Sequence, residues 1–248
     1  MPIIFAFTII CQIICIIHVF KTGQERAWLI PIIFALLLGC AVYALMVIAP
    51  GMLGTRQGKR AVKKLSHTIN APRNLRTLRG ELSLRDTAQS RVNLADELVE
   101  LGQYDEAITH YQEALSGGDA HNPDTLLKLA QAQFQAKDYT GCLASLKDLL
   151  QNNPGYISQD GHLLQARALH ELGELDQAAQ TYQQLVEYYS GPDARYFYAK
   201  LLQQQNRPAE ARQQLEEIQN YARIAPKFYK QMHRDCLAQA NRLLKNLE

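Results

Sequence analysis

The pattern of apolar and polar positions divides the chain into two regions. In the first 50 residues, two apolar runs, 2–20 and 28–49, flank a polar break at 21–27. Each run is about long enough for a helix to cross ~30 Å of hydrocarbon. From residue 88 onward, apolar residues recur at helical spacing among polar ones, without the alternation typical of strands. The sequence therefore predicts an all-α protein in which a two-helix transmembrane hairpin precedes a helical domain.

One helical pattern recurs four times in the second region. The stretches "GQYDEAITHYQEAL", "KDYTGCLASLKDLLQNNP", "GELDQAAQTYQQLVEYY" and "NRPAEARQQLEEI" align on a small residue at intervals of 35, 36 and 33 residues. Small side chains let paired antiparallel helices approach closely, and a unit that cannot bury its apolar face alone stacks on its neighbours. The small positions are Ala95, Ala130, Ala166 and Ala199 in the first helices and Ala107, Cys142, Ala178 and Ala211 in the second helices.

These residues resemble the tetratricopeptide repeat (TPR), a helix–turn–helix unit of about 34 residues. Gly102 and Gly173 match the turn between the helices, Tyr111 and Tyr182 match an aromatic position of the second helix, and Gln165 departs from the large apolar residue expected in the first helix. The resemblance implies an α-solenoid within residues 87–248, with repeats over 88–121, 123–157, 159–191 and 192–225. One capping helix over 226–247 is predicted from the spacing of Phe228, Met232, Leu237, Ala240 and Leu244.

The N-terminal stretch "IIHVFKTGQERAWLIPIIFALLLGCAVYALMV" resembles the two-span segment that precedes phospholipase D-type enzymes such as cardiolipin synthases. That family's catalytic H-x-K-x-x-x-x-D motif is missing, because no histidine of this sequence is followed two residues later by lysine. The resemblance therefore implies the anchor without the enzyme. Because no basic stretch precedes the first run and no A-x-A-like site follows it, we expect no signal-peptide cleavage.

Basic residues orient the predicted hairpin. The break holds Lys21 and Arg26, whereas residues 50–80 hold eight Lys/Arg and no acid. The positive-inside rule then places both termini in the cytoplasm, and we expect the bacterial inner membrane as the location. Nucleic acid is an alternative partner for a basic run, but a position directly after a span favours anionic lipid. The predicted membrane-surface contacts, called the basic collar, are Arg56, Lys59, Arg60, Lys63 and Lys64.

The segment between hairpin and repeats, 51–86, carries two short amphipathic patterns. Val62, Leu65 and Ile69 form one apolar stripe, and Leu75, Leu78 and Leu82 form another. We expect short helices that lie on the membrane surface, with a solvated linker as the alternative for the first stripe.

No catalytic, metal or cofactor site is predicted. The seven histidines are dispersed, no H-E-x-x-H motif or glycine-rich phosphate loop occurs, and the five cysteines contain no C-x-x-C pair. The sequence favours a protein that is not an enzyme and that needs no cofactor.

A partner-binding groove is the remaining candidate site, because first helices of successive TPR units line a concave surface. Its second half is predicted to be basic and aromatic, suited to an acidic or C-terminal peptide segment; solvated polar side chains are the alternative. The candidates are Lys128, Gln131, Phe134, Arg167, His170, Tyr196 and Lys200. The family's Lys/Asn pattern for chaperone tails is not reproduced.

The predicted function is a membrane-anchored cytoplasmic scaffold or adaptor that binds a protein partner. The alternative is an assembly or regulatory factor of a membrane enzyme, such as one of phospholipid metabolism, contacted through the hairpin. Ala35 and Gly39, four residues apart, suit close packing of another helix or of the hairpin itself.

Overall fold

The computed structural model describes residues 72–116 and 119–247, and all regular structure in these ranges is helical. A helical segment over 72–84 precedes four antiparallel pairs, which lie within the predicted repeat ranges. No helix of the described part is long and apolar enough to cross a membrane. The two predicted spans and the basic collar lie outside the described residues. The pairs are α1 (Ala88–Glu100) with α2 (Tyr104–Ala114), α3 (Pro123–Gln135) with α4 (Tyr139–Asn152), α5 (Gln159–Glu171) with α6 (Leu175–Leu185), and α7 (Asp193–Gln204) with α8 (Pro208–Ile224).

Side-chain caps mark where several helices begin. Thr87 and Ser90 form a capping box at α1, in which each side chain accepts a hydrogen bond from the other residue's backbone N–H. The carboxamide of Asn122 accepts from the Thr125 N–H, and Pro123 occupies the first turn of α3. Asp138 caps α4 in the same way. These caps satisfy N–H groups that have no partner inside the helix.

The small residues of the sequence pattern lie where the helices cross. All eight aligned alanine and cysteine positions have no measurable solvent exposure. The buried core forms three clusters along the solenoid: one in the first repeat with part of α3, one in the second repeat with part of α5, and one shared by the last two repeats and the C-terminal cap. Each repeat therefore completes its core with the next one, as expected for a solenoid.

The segment over 72–84 packs on the first repeat. Leu75, Leu78 and Leu82 contact the core cluster of α1 and α2. Asn74 Nδ2 donates to Glu97 Oε1 at 3.3 Å, and Arg79 forms an ion pair with Glu106 at 2.7 Å. The expectation that this leucine stripe lies on a membrane surface is therefore wrong: its apolar face is partly buried against protein. The stripe of Val62, Leu65 and Ile69 lies outside the described residues.

The C-terminal cap consists of two helices, α9 (Lys227–Met232) and α10 (Arg234–Lys245), where the sequence predicts one. The chain leaves helical geometry at His233, whose imidazole packs on Tyr229 and lies 3.6 Å from the Asp193 carboxylate. Because of this break, the predicted apolar stripe is divided. Ala240 and Leu244 are buried in the core, whereas the Phe228 and Met232 side chains are 63% and 56% exposed.

Candidate partner-binding groove

The first helices of the repeats meet along one side of the solenoid. Each second helix packs on the following first helix, while α3 also contacts α5 and α5 contacts α7. Lys128 of α3 bonds to Asp96 of α1. This side therefore presents α1, α3, α5 and α7 as neighbours, and the predicted groove residues belong to the last three.

A polar link joins the first two repeats on the groove side. The Asp96 carboxylate accepts hydrogen bonds from Lys128 Nζ and from the Tyr111 hydroxyl, both at 2.6 Å. Burial, and to a smaller extent the hydrogen bond to Asp96, raises the pKa of Tyr111, so this phenol stays protonated. The charge of Lys128 is thus compensated within the chain, and this residue contributes less to an anion site than the sequence predicts.

Arg167 of α5 contacts two aromatic rings. Its guanidinium carbon lies 4.5 Å from the centroid of Phe134 and 4.4 Å from that of Phe197. Among the described residues, Arg167 has no carboxylate partner. These two cation–π contacts restrain the guanidinium and do not use its N–H groups as hydrogen-bond donors. The repeat register places Arg167 at the position that Asp96 occupies in the first repeat.

The other predicted residues surround this arginine with different roles. Lys200 is exposed, and its ammonium lies 6.0 Å from the Phe197 centroid. Tyr196 is half-buried, with its ring edge-on to Phe197 at 5.3 Å. His170 Nε2 is 2.8 Å from Gln204 Oε1, which links repeats three and four. Phe197 was not among the predicted groove residues, because the repeat register assigned the groove-facing position to its neighbour Tyr196.

A pocket of about 320 Å³ lies in the groove between the first three repeats. Gln131 is exposed at this pocket, Phe134 and Leu163 supply apolar wall, and Arg167 and Asp160 supply opposite charges. The Tyr189 hydroxyl donates to Asp160 at 3.3 Å. The pocket is therefore amphipathic, and it is less uniformly basic than predicted.

A second recess, of about 250 Å³, lies where the third repeat departs from the repeat pattern. Gln165 replaces the large apolar side chain of the other repeats and lines this recess with Leu146 and Leu149. His162 and Tyr188 stack at its edge, with ring centroids 5.9 Å apart, and they also share a hydrogen bond. Partial burial lowers the pKa of His162, which favours the neutral imidazole.

A Cys–His–Asp cluster lies where α7 meets the cap, and its chemistry is not that of an activated nucleophile. His233 and the Cys236 thiol both approach the Asp193 carboxylate. Burial, and to a smaller extent the charge of Asp193, raises the pKa of Cys236 to about 12. A nucleophilic cysteine requires a lowered pKa, so this thiol acts as a hydrogen-bond donor. The described residues contain no cluster of potential metal ligands.

Comparison with known proteins agrees with this architecture. Models of the tetratricopeptide repeat family match residues 98–158 and 163–227, which together cover about half of the chain. No curated protein gives a match. Solved structures with a similar fold include residues 41 to the end of MamA from Desulfovibrio magneticus RS-1, with 14% identity, 65% of this chain and 96% of that chain covered, and a TM-score of 0.55.

A thermophilic TPR protein of Thermus thermophilus is similar at 21% identity, over 73% of this chain and 95% of that chain, with a TM-score of 0.52. At these identities the likeness concerns the fold alone. The repeat matches, the buried small positions and the paired helices lead to one conclusion: the chain belongs to the tetratricopeptide repeat proteins.

Proposed function

We propose that this protein is a scaffold, anchored in the bacterial inner membrane by its N-terminal hairpin, that holds a protein or peptide partner in the groove defined above. TPR solenoids present extended concave binding surfaces. The anchor is supported by the two apolar runs at 2–20 and 28–49 and by the basic residues that follow them.

The observation that carries the groove proposal is the environment of Arg167. A guanidinium in contact with the rings of Phe134 and Phe197 is already restrained before a ligand arrives. Binding therefore costs little additional side-chain entropy, and the planar N–H edge matches a carboxylate in two-point geometry.

The partner chemistry follows from the charges around that arginine. Within the described part of the chain, Lys200 adds a second uncompensated cation beside Phe197. Asp160 lies in the same pocket as Arg167 and suits a donor group on the bound segment. A polar segment with a carboxylate at Arg167 and an apolar side chain against Phe134 and Leu163 satisfies this arrangement.

Site-specific photo-crosslinking in cells tests the groove. The full chain carries a photoreactive phenylalanine analogue at Gln131, which is exposed in the pocket, or at Lys147, which is exposed on α4 away from it. We expect a discrete crosslinked partner at position 131 that is absent at position 147. The variants Arg167→Ala and Lys200→Ala should each reduce this crosslink severalfold.

A second substitution separates binding from folding. Arg167→Lys retains the positive charge but loses the planar two-point geometry, so we expect it to weaken the crosslink while the melting temperature stays near that of the parent. Equal crosslinking at positions 131 and 147, or a crosslink that survives Arg167→Ala and Lys200→Ala together, would refute the groove assignment.

The anchor is tested separately. The full chain should remain in the membrane fraction after extraction at alkaline pH. A cysteine introduced at Thr22, in a background without the five native cysteines, should react with an impermeant thiol reagent in intact spheroplasts. Release by alkaline extraction would contradict the anchor, and reaction only after lysis would contradict its orientation.

A further inference from the structure

The C-terminal cap and the last turns of α8 differ in charge from the preceding part of the solenoid. Residues 87–218 contain nine Lys/Arg and 19 Asp/Glu, whereas residues 219–248 contain six Lys/Arg and only two acids. The cap is therefore a basic end on an acidic solenoid. Capping does not require this separation of charge, since the side chains through which the cap packs on the last two repeats are apolar.

Four of these cations surround one open depression between α8, α9 and α10, with a volume of about 700 Å³. Arg223, Lys230, Arg234 and Lys245 line it, together with neutral residues and no carboxylate. Within the described ranges, the only ion pair that uses one of the four joins Arg234 to its neighbour Asp235 at 3.4 Å, and both side chains are mostly exposed. Lys230 Nζ also donates to the Arg223 carbonyl at 3.3 Å. Arg223, Lys230 and Lys245 thus have no carboxylate partner in the described part of the chain.

Three exposed apolar side chains occur in the same part of the chain as the depression. Ile224, the last residue of α8, is 82% exposed, and Phe228 of α9 is 63% exposed. Met232 follows Phe228 by one helical turn and is 56% exposed. These side chains are not among the residues that line the depression. Ile224 and Phe228 flank the corner where the chain turns from α8 into α9.

We infer that this cap surface, defined by Arg223, Ile224, Phe228, Lys230, Arg234 and Lys245, binds an anionic phospholipid bilayer. The four cations meet lipid phosphates, and the two apolar side chains enter the boundary between headgroups and acyl chains. A protein partner would need pockets matched to Ile224 and Phe228, whereas a bilayer receives protruding side chains of any shape. The inference does not depend on the groove partner.

The contact gains strength if the N-terminal segment is anchored. Tethering converts binding of the cap surface into an intramolecular event with a high effective lipid concentration. A tethered cap can then bind and release with modest affinity, controlled by the anionic lipid content and ionic strength.

The single tryptophan of the chain allows a direct test in the full-length protein. Trp28→Phe with Phe228→Trp places the sole tryptophan at the cap surface, and Trp28→Phe with Leu172→Trp places it at the exposed turn between α5 and α6 as a control. Vesicles contain phosphatidylcholine alone or equal parts of phosphatidylcholine and phosphatidylglycerol, with brominated acyl chains as quencher. We expect blue-shifted emission and at least twofold quenching at position 228 with phosphatidylglycerol, and no quenching at position 172.

A charge variant makes the test specific. Arg223→Gln, Lys230→Gln, Arg234→Gln and Lys245→Gln together alter only exposed side chains, so circular dichroism should be unchanged while quenching at position 228 is lost. Equal quenching with and without phosphatidylglycerol, or quenching that persists in the charge variant, would overturn the inference. The emission of the tryptophan at position 228 is also measured with soluble polyglutamate. A blue shift with polyglutamate and none with phosphatidylglycerol would overturn the inference and indicate an acidic polypeptide as the ligand. Sedimentation with phosphatidylcholine vesicles alone reports the anchor and so separates its failure from that of the cap surface.

Discussion

At the residue scale, two tyrosines that the repeat pattern makes equivalent have different surroundings. Tyr111 donates its hydroxyl hydrogen bond to Asp96. Tyr182 has a buried hydroxyl without a hydrogen-bond partner among the described residues. The cause is the groove position facing each tyrosine: the first repeat has an acceptor there, whereas the third has Arg167, whose guanidinium is held by two phenylalanines. The positions of both tyrosines follow from the sequence. Their hydrogen bonds depend on whether the facing groove position holds an acceptor, as Asp96 is, or a cation, as Arg167 is.

This difference predicts opposite effects for the same substitution. Tyr111→Phe removes a charge-assisted hydrogen bond, so we expect it to lower the free energy of unfolding by about 1–2 kcal/mol. Tyr182→Phe removes a buried polar atom that has no partner in the described part of the chain, so we expect no loss and a gain of up to about 1 kcal/mol. Urea denaturation followed by circular dichroism measures both, and an equal loss in the two variants would contradict the assigned hydrogen bonds.

At the scale of elements, the four turns between paired helices share one backbone conformation. Gly102, Lys137, Gly173 and Asn206 occupy this turn with φ of 75°, 65°, 81° and 58°. The two glycines mark their turns in the sequence, because glycine adopts positive φ without steric cost. Lysine carries no such signal, so the conformation of Lys137 became visible only in the structure. The break at His233 was equally hidden, because it depends on contacts with Asp193 and Tyr229 and not on helical periodicity.

The turn at Lys137 predicts a stabilising glycine. A non-glycine residue in the left-handed region carries a penalty of about 1–2 kcal/mol. We therefore expect Lys137→Gly to raise the free energy of unfolding by up to about 1 kcal/mol, after the greater entropy of glycine in the unfolded chain is subtracted. Lys147→Gly is the matched control. It makes the same exchange at an exposed position inside α4 and should cost about 1 kcal/mol. Chemical denaturation measures the free energy of unfolding of both variants. A change of the same sign in both would contradict the assigned backbone conformation of Lys137.

At the scale of the whole molecule, the described solenoid is capped at both ends by helices that lie outside the four repeats. The segment over 72–84 covers the first repeat, while α10 buries Ala240 and Leu244 against the last two. Repeat number and the buried small positions follow from sequence periodicity, because each repeat uses the same close helix crossing. The partner of the leucine stripe at 75, 78 and 82 does not follow from the sequence. An amphipathic pattern predicts that one helix face is covered, but it leaves open whether lipid or protein covers that face.

The N-terminal cap can be tested by its local effect on stability. Replacing Leu75, Leu78 and Leu82 together by serine removes three partly buried side chains from the first repeat, and we expect a loss of about 1 kcal/mol for each. Because repeats contact only their neighbours, amide hydrogen exchange in the full chain should accelerate in α1 and α2 and stay unchanged in α7 and α8. Leu84→Ser is the matched control in the same segment, since Leu84 is 85% exposed, and it should leave exchange unaltered. Unchanged exchange in α1 and α2 of the triple variant would contradict the stabilising contact of the leucine stripe with the first repeat.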